Sequence, residues 1–295
     1  MAMADTTTLA AKIQAVMQRE VEALRAEALF YPGGPLHDMI RVADLTNTPG
    51  ITGQFPKAGS LTALDTVEGS KIASVQSRSV TSVSVTATEK QIMSGISQLA
   101  IDGLVTPNQE EVFFTDEARE HIVSHAAKVD DDMFALASSL TSGVSDTGAA
   151  LEVNDIIGAV KTLREANVKG RLVGVISEHQ WYDLMTQSSS ALADGSKSGT
   201  VGETLWNDYV VRHFLGVDWF MGDIAGKIDA TDDWGFIFGR GCFAMTLKRF
   251  PGMGVNGLTV EYDHWSRSYE ISSVSSWGVG VLDATRGAYL RTGTN

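Results

Sequence analysis

Residues 72–90, IASVQSRSVTSVSVTATEK, constrain this chain more than any other stretch. They are dense in Val, Ser and Thr, residue types that favour extended strands. Read with a period of two, one face carries Val75, Ser77, Ser79, Thr81, Val83 and Val85. The other carries Gln76, Arg78, Val80, Ser82, Ser84 and Thr86. Neither face is apolar enough to bury a core. With Ile51-Thr-Gly-Gln-Phe55 upstream and a glycine-containing loop between, residues 50–90 read as a long two-stranded hairpin. An isolated hairpin is marginal in water, and a long open edge invites pairing. This one lies over its own body or reaches onto another subunit.

The distribution of rings favours the second alternative. All six tryptophans lie from Trp181 onward, and before residue 111 the aromatic residues are Phe30, Tyr31 and Phe55. Large rings dominate core burial, so the core is expected mostly from residues after about 111. The first third reads as arms that find their partners elsewhere. Within it, Leu9, Ile13, Val16, Met17, Val21, Leu24 and Leu29 recur at helical spacing, and Pro32, Gly33, Gly34 and Pro35 end that helix. It packs on its own domain or docks on a neighbour.

Residues 115–142 read as a long helix. Thr115 is its expected N-cap, with Asp116 and Glu117 in the first turn, where the helix dipole favours negative charge. Ile122, Ala126, Val129, Met133, Leu136 and Leu140 form one apolar stripe, and Gly143 is expected to close the helix. Twelve acidic and two basic residues fall between 101 and 155, so this segment supplies most of the net charge of −13. Glu120 and the run Asp130-Asp131-Asp132 add to a helix face read as acidic and solvated.

An α/β region follows. A helix opens at Asn154 and Asp155, Arg171–Ile176 is a buried strand, and Ser177-Glu-His-Gln180 matches a capping box for the next helix. Residues 187–203 read as a surface loop and 204–215 as a helix leading into the strand Gly216–Met221. From 234 to 292 the chain reads as mostly β.

The sequence offers little reactive chemistry. No phosphate-binding P-loop or dinucleotide fingerprint is present, and Gly195-Ser-Lys-Ser-Gly199 has the wrong spacing. His121 and His125 share a helix face without a third ligand, and read as solvated or interface histidines. Cys242 with Asp263 and His264 could be drawn as a hydrolase centre, but Cys242 sits in an apolar strand pattern and reads as a buried thiol. No catalytic residue, cofactor or metal is expected. The single cysteine excludes an internal disulfide framework and points to a reducing compartment at synthesis. No apolar run approaches the roughly 20 residues of a membrane span, and the N-terminus lacks the pattern of a secretory signal. The acidic balance argues against gripping a nucleic-acid backbone.

The order of these pieces resembles a tailed-bacteriophage major capsid protein of the Hong Kong 97-like fold. The residues that carry the resemblance are Thr66-Val-Glu-Gly-Ser-Lys-Ile72, Ile96-Ser-Gln-Leu-Ala-Ile-Asp102, Val173-Gly-Val-Ile-Ser177, Leu215-Gly-Val-Asp-Trp219 and Gly278-Val-Gly-Val-Leu-Asp283. It implies an α+β fold with an N-terminal arm (1–49) and an extended hairpin loop (50–90). A peripheral domain with a spine helix (91–145 and 233–295) and an α/β axial domain (146–232) complete it. The function implied is non-enzymatic self-assembly, as hexamers and pentamers, into an icosahedral shell around double-stranded DNA. That DNA is enclosed without sequence-specific binding, and no membrane is involved. Val67, Glu68, Lys71, Arg78, Val80 and Val83 are the expected inter-subunit contacts of the hairpin. Asp116, Glu117, Glu120, Asp130, Asp131 and Asp132 are the expected lumen-facing acids. A separate scaffolding protein, a portal protein and a decoration protein are the partners such a shell implies, with assembly in the host cytoplasm and residence in the virion. No covalent crosslink through Lys57 or Lys71 is expected. The same fold would also suit an encapsulin-like shell around cargo protein. A fibre or decoration protein would account for the Ser/Thr/Val strands but not for the α/β region.

Overall fold

The structure is a computed structural model that describes residues 29–32, 34–58, 80–97, 107–146, 149–186, 213–222, 228, 232–249 and 258–293. The expected N-terminal helix, the loop 187–203 and most of the expected helix 204–215 lie outside the described residues. Strands β1 (Arg41–Asp44), β4 (Thr88–Ser97), β10 (Phe243–Arg249), β11 (Leu258–Asp263) and β12 (Ser268–Val281) form one five-stranded sheet. Strands β5 (Ser142–Asp146), β6 (Leu172–Ile176), β7 (His213–Phe214), β8 (Val217–Met221), β9 (Asp232–Gly239) and β13 (Gly287–Gly293) form a second, in the order β5-β13-β9-β6-β8-β7. Strands β2 (Thr52–Ala58) and β3 (Val80–Thr86) pair antiparallel as the base of the expected hairpin.

β12 organises the first sheet. Ser272 faces both Thr259 of β11 and Met93 of β4, and Trp277 faces both Leu247 of β10 and Thr88 of β4. β11 and β10 therefore follow one another along one edge of β12, while β4 runs antiparallel along the other. The second sheet is built around strands buried on both faces. Val173 and Val175 of β6 enter the main core, while Leu172 and Ile176 enter a second one. β9 divides the same way, with Phe236 and Phe238 on one side and Ile237 on the other. Two-sided burial explains why Leu172–Ile176 is a continuous apolar run rather than an alternating one.

Among the described residues, three α-helices cover these sheets. α1 (Pro107–Ala135) is 29 residues long and spans about 43 Å. Ile122, Ala126, Val129 and Met133 of the expected stripe are buried, and a short 3-10 turn, Leu136–Ser139, carries the chain on to buried Leu140. α2 (Val153–Glu165) is capped reciprocally by Glu152 and Asp155. At α3 (Glu178–Thr186) the Gln180 N–H donates to Ser177 Oγ and the Ser177 N–H to Gln180 Oε1, as the capping box requires.

Several expectations need correction. α1 starts at Pro107, eight residues before Thr115; proline suits the first helical turn because its missing N–H would have no partner there. Gly143 does not close the helix. It lies in β5, where a Cβ would stand 2.2 Å from the Tyr289 carbonyl oxygen, so only glycine permits that approach. His213 and Phe214, placed in a helix by the sequence reading, form β7. The early aromatic residues are not left for a neighbour: Phe30 and Tyr31 are buried in the main core and Phe55 in a smaller one. Phe30 stacks among Phe134, Phe236 and Phe238 at 6.0–6.5 Å between ring centres. The second sheet runs across residues 232/233: β9 and β13 join β6 and β8, while β10 to β12 belong to the other sheet.

Candidate functional site

The hairpin base has the least core of its own, and the structure shows what seats it. Phe55, Val83 and Val85 meet Ala43, Ala244 and Leu282 in a small separate cluster. Arg41 Nη1 donates to the Pro56 carbonyl at 3.1 Å and Thr246 Oγ1 to the Val85 carbonyl at 2.9 Å. Lys57 Nζ pairs with the Asp283 carboxylate at 2.9 Å. Burial works against the ionised Asp283, but hydrogen bonds from Lys57 and Thr285 hold its carboxyl below the usual range. Two glycines make room: a Cβ on Gly278 would stand 2.1 Å from the Thr86 carbonyl oxygen, and one on Gly280 2.9 Å from Val85 Cγ2. Alternate glycines on one face of β12 therefore let β3 rest at backbone distance.

The rest of the base is polar and self-paired. The Thr52 and Thr86 hydroxyls lie 3.0 Å apart, and Ser84 Oγ donates to Gln54 Oε1 at 3.1 Å. Such cross-strand pairs stabilise a ladder without an apolar partner. At the last described rung, Ala58 opposite Val80, the Val80 side chain is 64% exposed. Of the expected inter-subunit contacts, Val80 is thus open to solvent, while Val83 is half-buried against its own subunit. Val67, Glu68, Lys71 and Arg78 lie outside the described residues.

The acidic helix is less solvated than its composition implies. Asp116 and Glu120 are exposed, and Glu117 reaches His121 at 3.6 Å. Asp130 accepts hydrogen bonds from the Leu29 and Phe30 N–H groups at 3.0 and 2.9 Å, and so fastens the segment that delivers Phe30 to the core. Asp132 accepts from Lys90 Nζ at 2.6 Å, from Trp277 Nε1 at 3.0 Å and pairs with Lys128 at 3.0 Å. Burial raises its carboxyl, but the two lysines hold it below the usual range. Asp131 is half-buried between them in sequence. The reading of this run as a solvated face is therefore corrected for Asp130 and Asp132. Only an acceptor count against residues far away in sequence would have found their partners.

His121 and His125 do share a face, but it is buried against β4 and β12 rather than solvated. His121 Nδ1 and His125 Nε2 meet the Ser273 hydroxyl at 2.7 and 3.0 Å, and His121 Nε2 meets Ser94 Oγ at 2.8 Å. Burial lowers both histidines; Glu117 opposes the shift at His121, whereas repulsion from His121 adds to it at His125 and takes that ring down to about 4. An unfolded histidine titrates near 6.5, so the unfolded chain binds the extra proton first as the pH falls. The stability contributed by neutral His125 is whole above about pH 6.5, declines toward pH 4 and changes no further below it. The expected loss is on the order of 2 kcal/mol. Urea unfolding at pH 7.5 and pH 4.5 measures it, and His125→Gln should shrink the difference; an equal loss in that variant would contradict the assignment.

Cys242 is buried, and burial pushes its thiol well above the ordinary range. Asp263 ends β11 and His264 opens the β11–β12 turn, where the Asp263 carboxylate is occupied by Trp265 and Ser266. The arrangement cannot supply a thiolate and a base together. Among the described residues no three His, Cys, Asp or Glu side chains converge on a metal position, and no helix is long and apolar enough to cross a membrane. Gly195–Gly199 lies outside the described residues.

No family model matches the sequence, and no curated protein matches it. Solved structures do. A chain of Mycobacterium phage Che8 is 18% identical, with a TM-score of 0.61 over 82% of this chain and 84% of that one. A chain from the capsid of Ralstonia phage GP4 is 10% identical, with a TM-score of 0.60 over 87% of both. A chain from the capsid of Helicobacter pylori bacteriophage KHP30 is 8% identical, with a TM-score of 0.61 over 88% and 91%. With identity this low, agreement lies in the path of the backbone, over more than four-fifths of both chains in each case. The chain has the α+β fold of a phage major capsid protein.

Proposed function

We propose that this chain is the major capsid protein of a tailed phage, which assembles with itself into a closed shell around double-stranded DNA. The observation that carries the reading is the fold shared with phage capsid chains over more than four-fifths of both partners. The hairpin base supports it: two strands seated through Phe55, Val83 and Val85, and otherwise polar, leave Val80 uncovered at the last described rung. Copies form hexamers and pentamers, since a closed shell needs repeated heterologous contacts whose geometry closes. The hairpin loop, through Val67, Glu68, Lys71, Arg78 and Val80, lies on an adjacent copy. Asp116 and Glu120 of α1, with Glu117 and Asp131, face the lumen, where a negative wall repels packaged DNA and eases filling and release. Scaffolding, portal and decoration proteins complete the particle, which assembles in the host cytoplasm.

The test exploits the register of the hairpin. Because Ala58 faces Val80, residues 59–79 can be replaced by Asn-Gly, which closes a tight two-residue turn. This shortened chain should stay folded and sediment as a small species under conditions in which the full chain forms shells visible by negative-stain microscopy. Normal shells from the shortened chain would refute the role given to the loop, and a full chain that forms no shells with its scaffold would refute the function.

A further inference from the structure

The turn between β9 and β10 gathers cations that the proposed function does not use. Gly241 lies in it with φ +82°, and a Cβ added there would meet only Arg41 Nε at 3.8 Å and Arg286 Nη1 at 3.9 Å, its chain neighbours aside. Arg41 comes from β1 and Arg286 from the 3-10 turn Ala284–Arg286, so two guanidinium groups from remote parts of the sequence flank one bare stretch of backbone. Arg240, the residue before the glycine, is exposed, as are Arg41 and Arg286. Counter-charge is thin. The Asp283 carboxylate pairs with Lys57 Nζ at 2.9 Å and Arg286 Nε at 3.4 Å, and it also accepts from the Thr285 hydroxyl at 2.8 Å. Four cations thus share one carboxylate, in a chain whose net charge is −13.

The guanidinium groups are anchored and still have donors to give. Arg41 donates from Nη1 to the Pro56 carbonyl at 3.1 Å, and Arg286 from Nη1 to the Arg240 carbonyl at 3.0 Å. A guanidinium carries five N–H donors. Nε and Nη2 of Arg41 and Nη2 of Arg286 have no acceptor among the described residues, and the Arg240 side chain has no partner among them. Donors already held in place lose little freedom when a ligand arrives.

We propose that this notch is a binding site for an oxyanion of the phosphate class. Guanidinium forks suit carboxylate and phosphate oxygens alike. A carboxylate offers two oxygens, however, and Asp283 already supplies the one this turn uses. A tetrahedral oxyanion presents acceptors in several directions, which suits donors that arrive from β1, from the β9–β10 turn and from the 3-10 turn. Gly241 keeps the floor clear, because a side chain there would stand within 4 Å of both flanking arginines. The phosphate is either free in solution or a phosphodiester of DNA, and the recognising chemistry is the same. The site needs only one copy of the chain, so it stands apart from shell formation.

Calorimetric titration of the full chain with inorganic phosphate, in chloride at constant ionic strength, tests the site beside titration with a short DNA duplex that lacks terminal phosphates. Phosphate should bind with millimolar or tighter affinity. Arg240→Gln, which breaks no contact among the described residues, should weaken it about fivefold, and Arg41→Gln about tenfold or more. Arg41→Lys keeps the charge but loses the fork, and should recover only part of that loss. Lys161→Gln, at an exposed cation on α2, is the control and should change nothing. Unfolding curves show whether each variant keeps its fold; Arg240→Gln decides the matter where Arg41→Gln, which also unties β1 from β2, does not. Duplex binding that phosphate displaces and Arg240→Gln weakens assigns the phosphodiester as the source. Phosphate binding without duplex binding assigns the free anion, and either result supports the site. No phosphate binding up to about 10 mM, or an equal loss in Lys161→Gln and Arg240→Gln, overturns it and leaves shell formation untouched.

Discussion

Replacing Gly278 with valine will unseat the hairpin. A Cβ at this position lies 2.1 Å from the Thr86 carbonyl oxygen, 2.7 Å from its carbon and 3.2 Å from Ala87 N, all of them backbone atoms that no rotamer change can move aside. The chain at 86–87 must shift, and it is fixed by neighbours: the Ala87 N–H donates to the Ile51 carbonyl at 2.7 Å, and Thr246 holds the Val85 carbonyl. Overpacking against backbone costs about 3 kcal/mol here, the upper end of the usual range. Hydrogen exchange should accelerate in β2 and β3 while the core around Leu163, Leu172 and Ile237 keeps its protection, and shells should fail to form. Gly95→Ala is the control, since a Cβ there meets nothing within 4 Å. Unchanged exchange in Gly278→Val would refute the seat.

Asp132→Ala will destabilise the monomer by about 3 kcal/mol. The carboxylate joins three elements: Lys90 on β4, Trp277 on β12 and Lys128 on its own helix. Lys90 also lies 4.2 Å from the centre of the Trp277 ring. Alanine removes the acceptor to which a fully buried indole N–H donates and the counter-charge of a half-buried lysine, and each loss costs 1–3 kcal/mol by the usual scale. Asp132→Asn keeps an oxygen for the indole and should cost about half as much. Urea unfolding of the three chains measures the difference; a loss below about 0.5 kcal/mol for alanine would contradict the account.

What the sequence made legible follows from how local each signal is. The stripe Ile122, Ala126, Val129 and Met133 needs only helical periodicity, and Leu172–Ile176 needs only an unbroken apolar run. Ser177 and Gln180 are three residues apart and cap α3 as their spacing requires. The Val/Ser/Thr alternation likewise exposed the hairpin base, because cross-strand polar pairing leaves a pattern of period two. Non-local partners left no such trace. Asp130 serves backbone groups a hundred residues earlier, and Phe30 is buried by rings on α1 and β9. The run Asp130–Asp132 was therefore read as solvated and the early rings as seeking partners elsewhere, although Asp130, Asp132, Phe30, Tyr31 and Phe55 are all bonded or buried within one copy. The seat was not read from the sequence: Gly278 and Gly280 alternate on one face of a strand, but nothing in that local spacing names β3 as the strand that approaches.

Cryo-electron microscopy of shells formed by the full chain, at a resolution that traces β2 and β3 beyond Ala58 and Val80, tests the central claim most directly. The account predicts a hairpin whose base stays seated on β12 while its loop lies across a neighbouring copy. A hairpin folded back over its own subunit, in particles that nevertheless close, would contradict it.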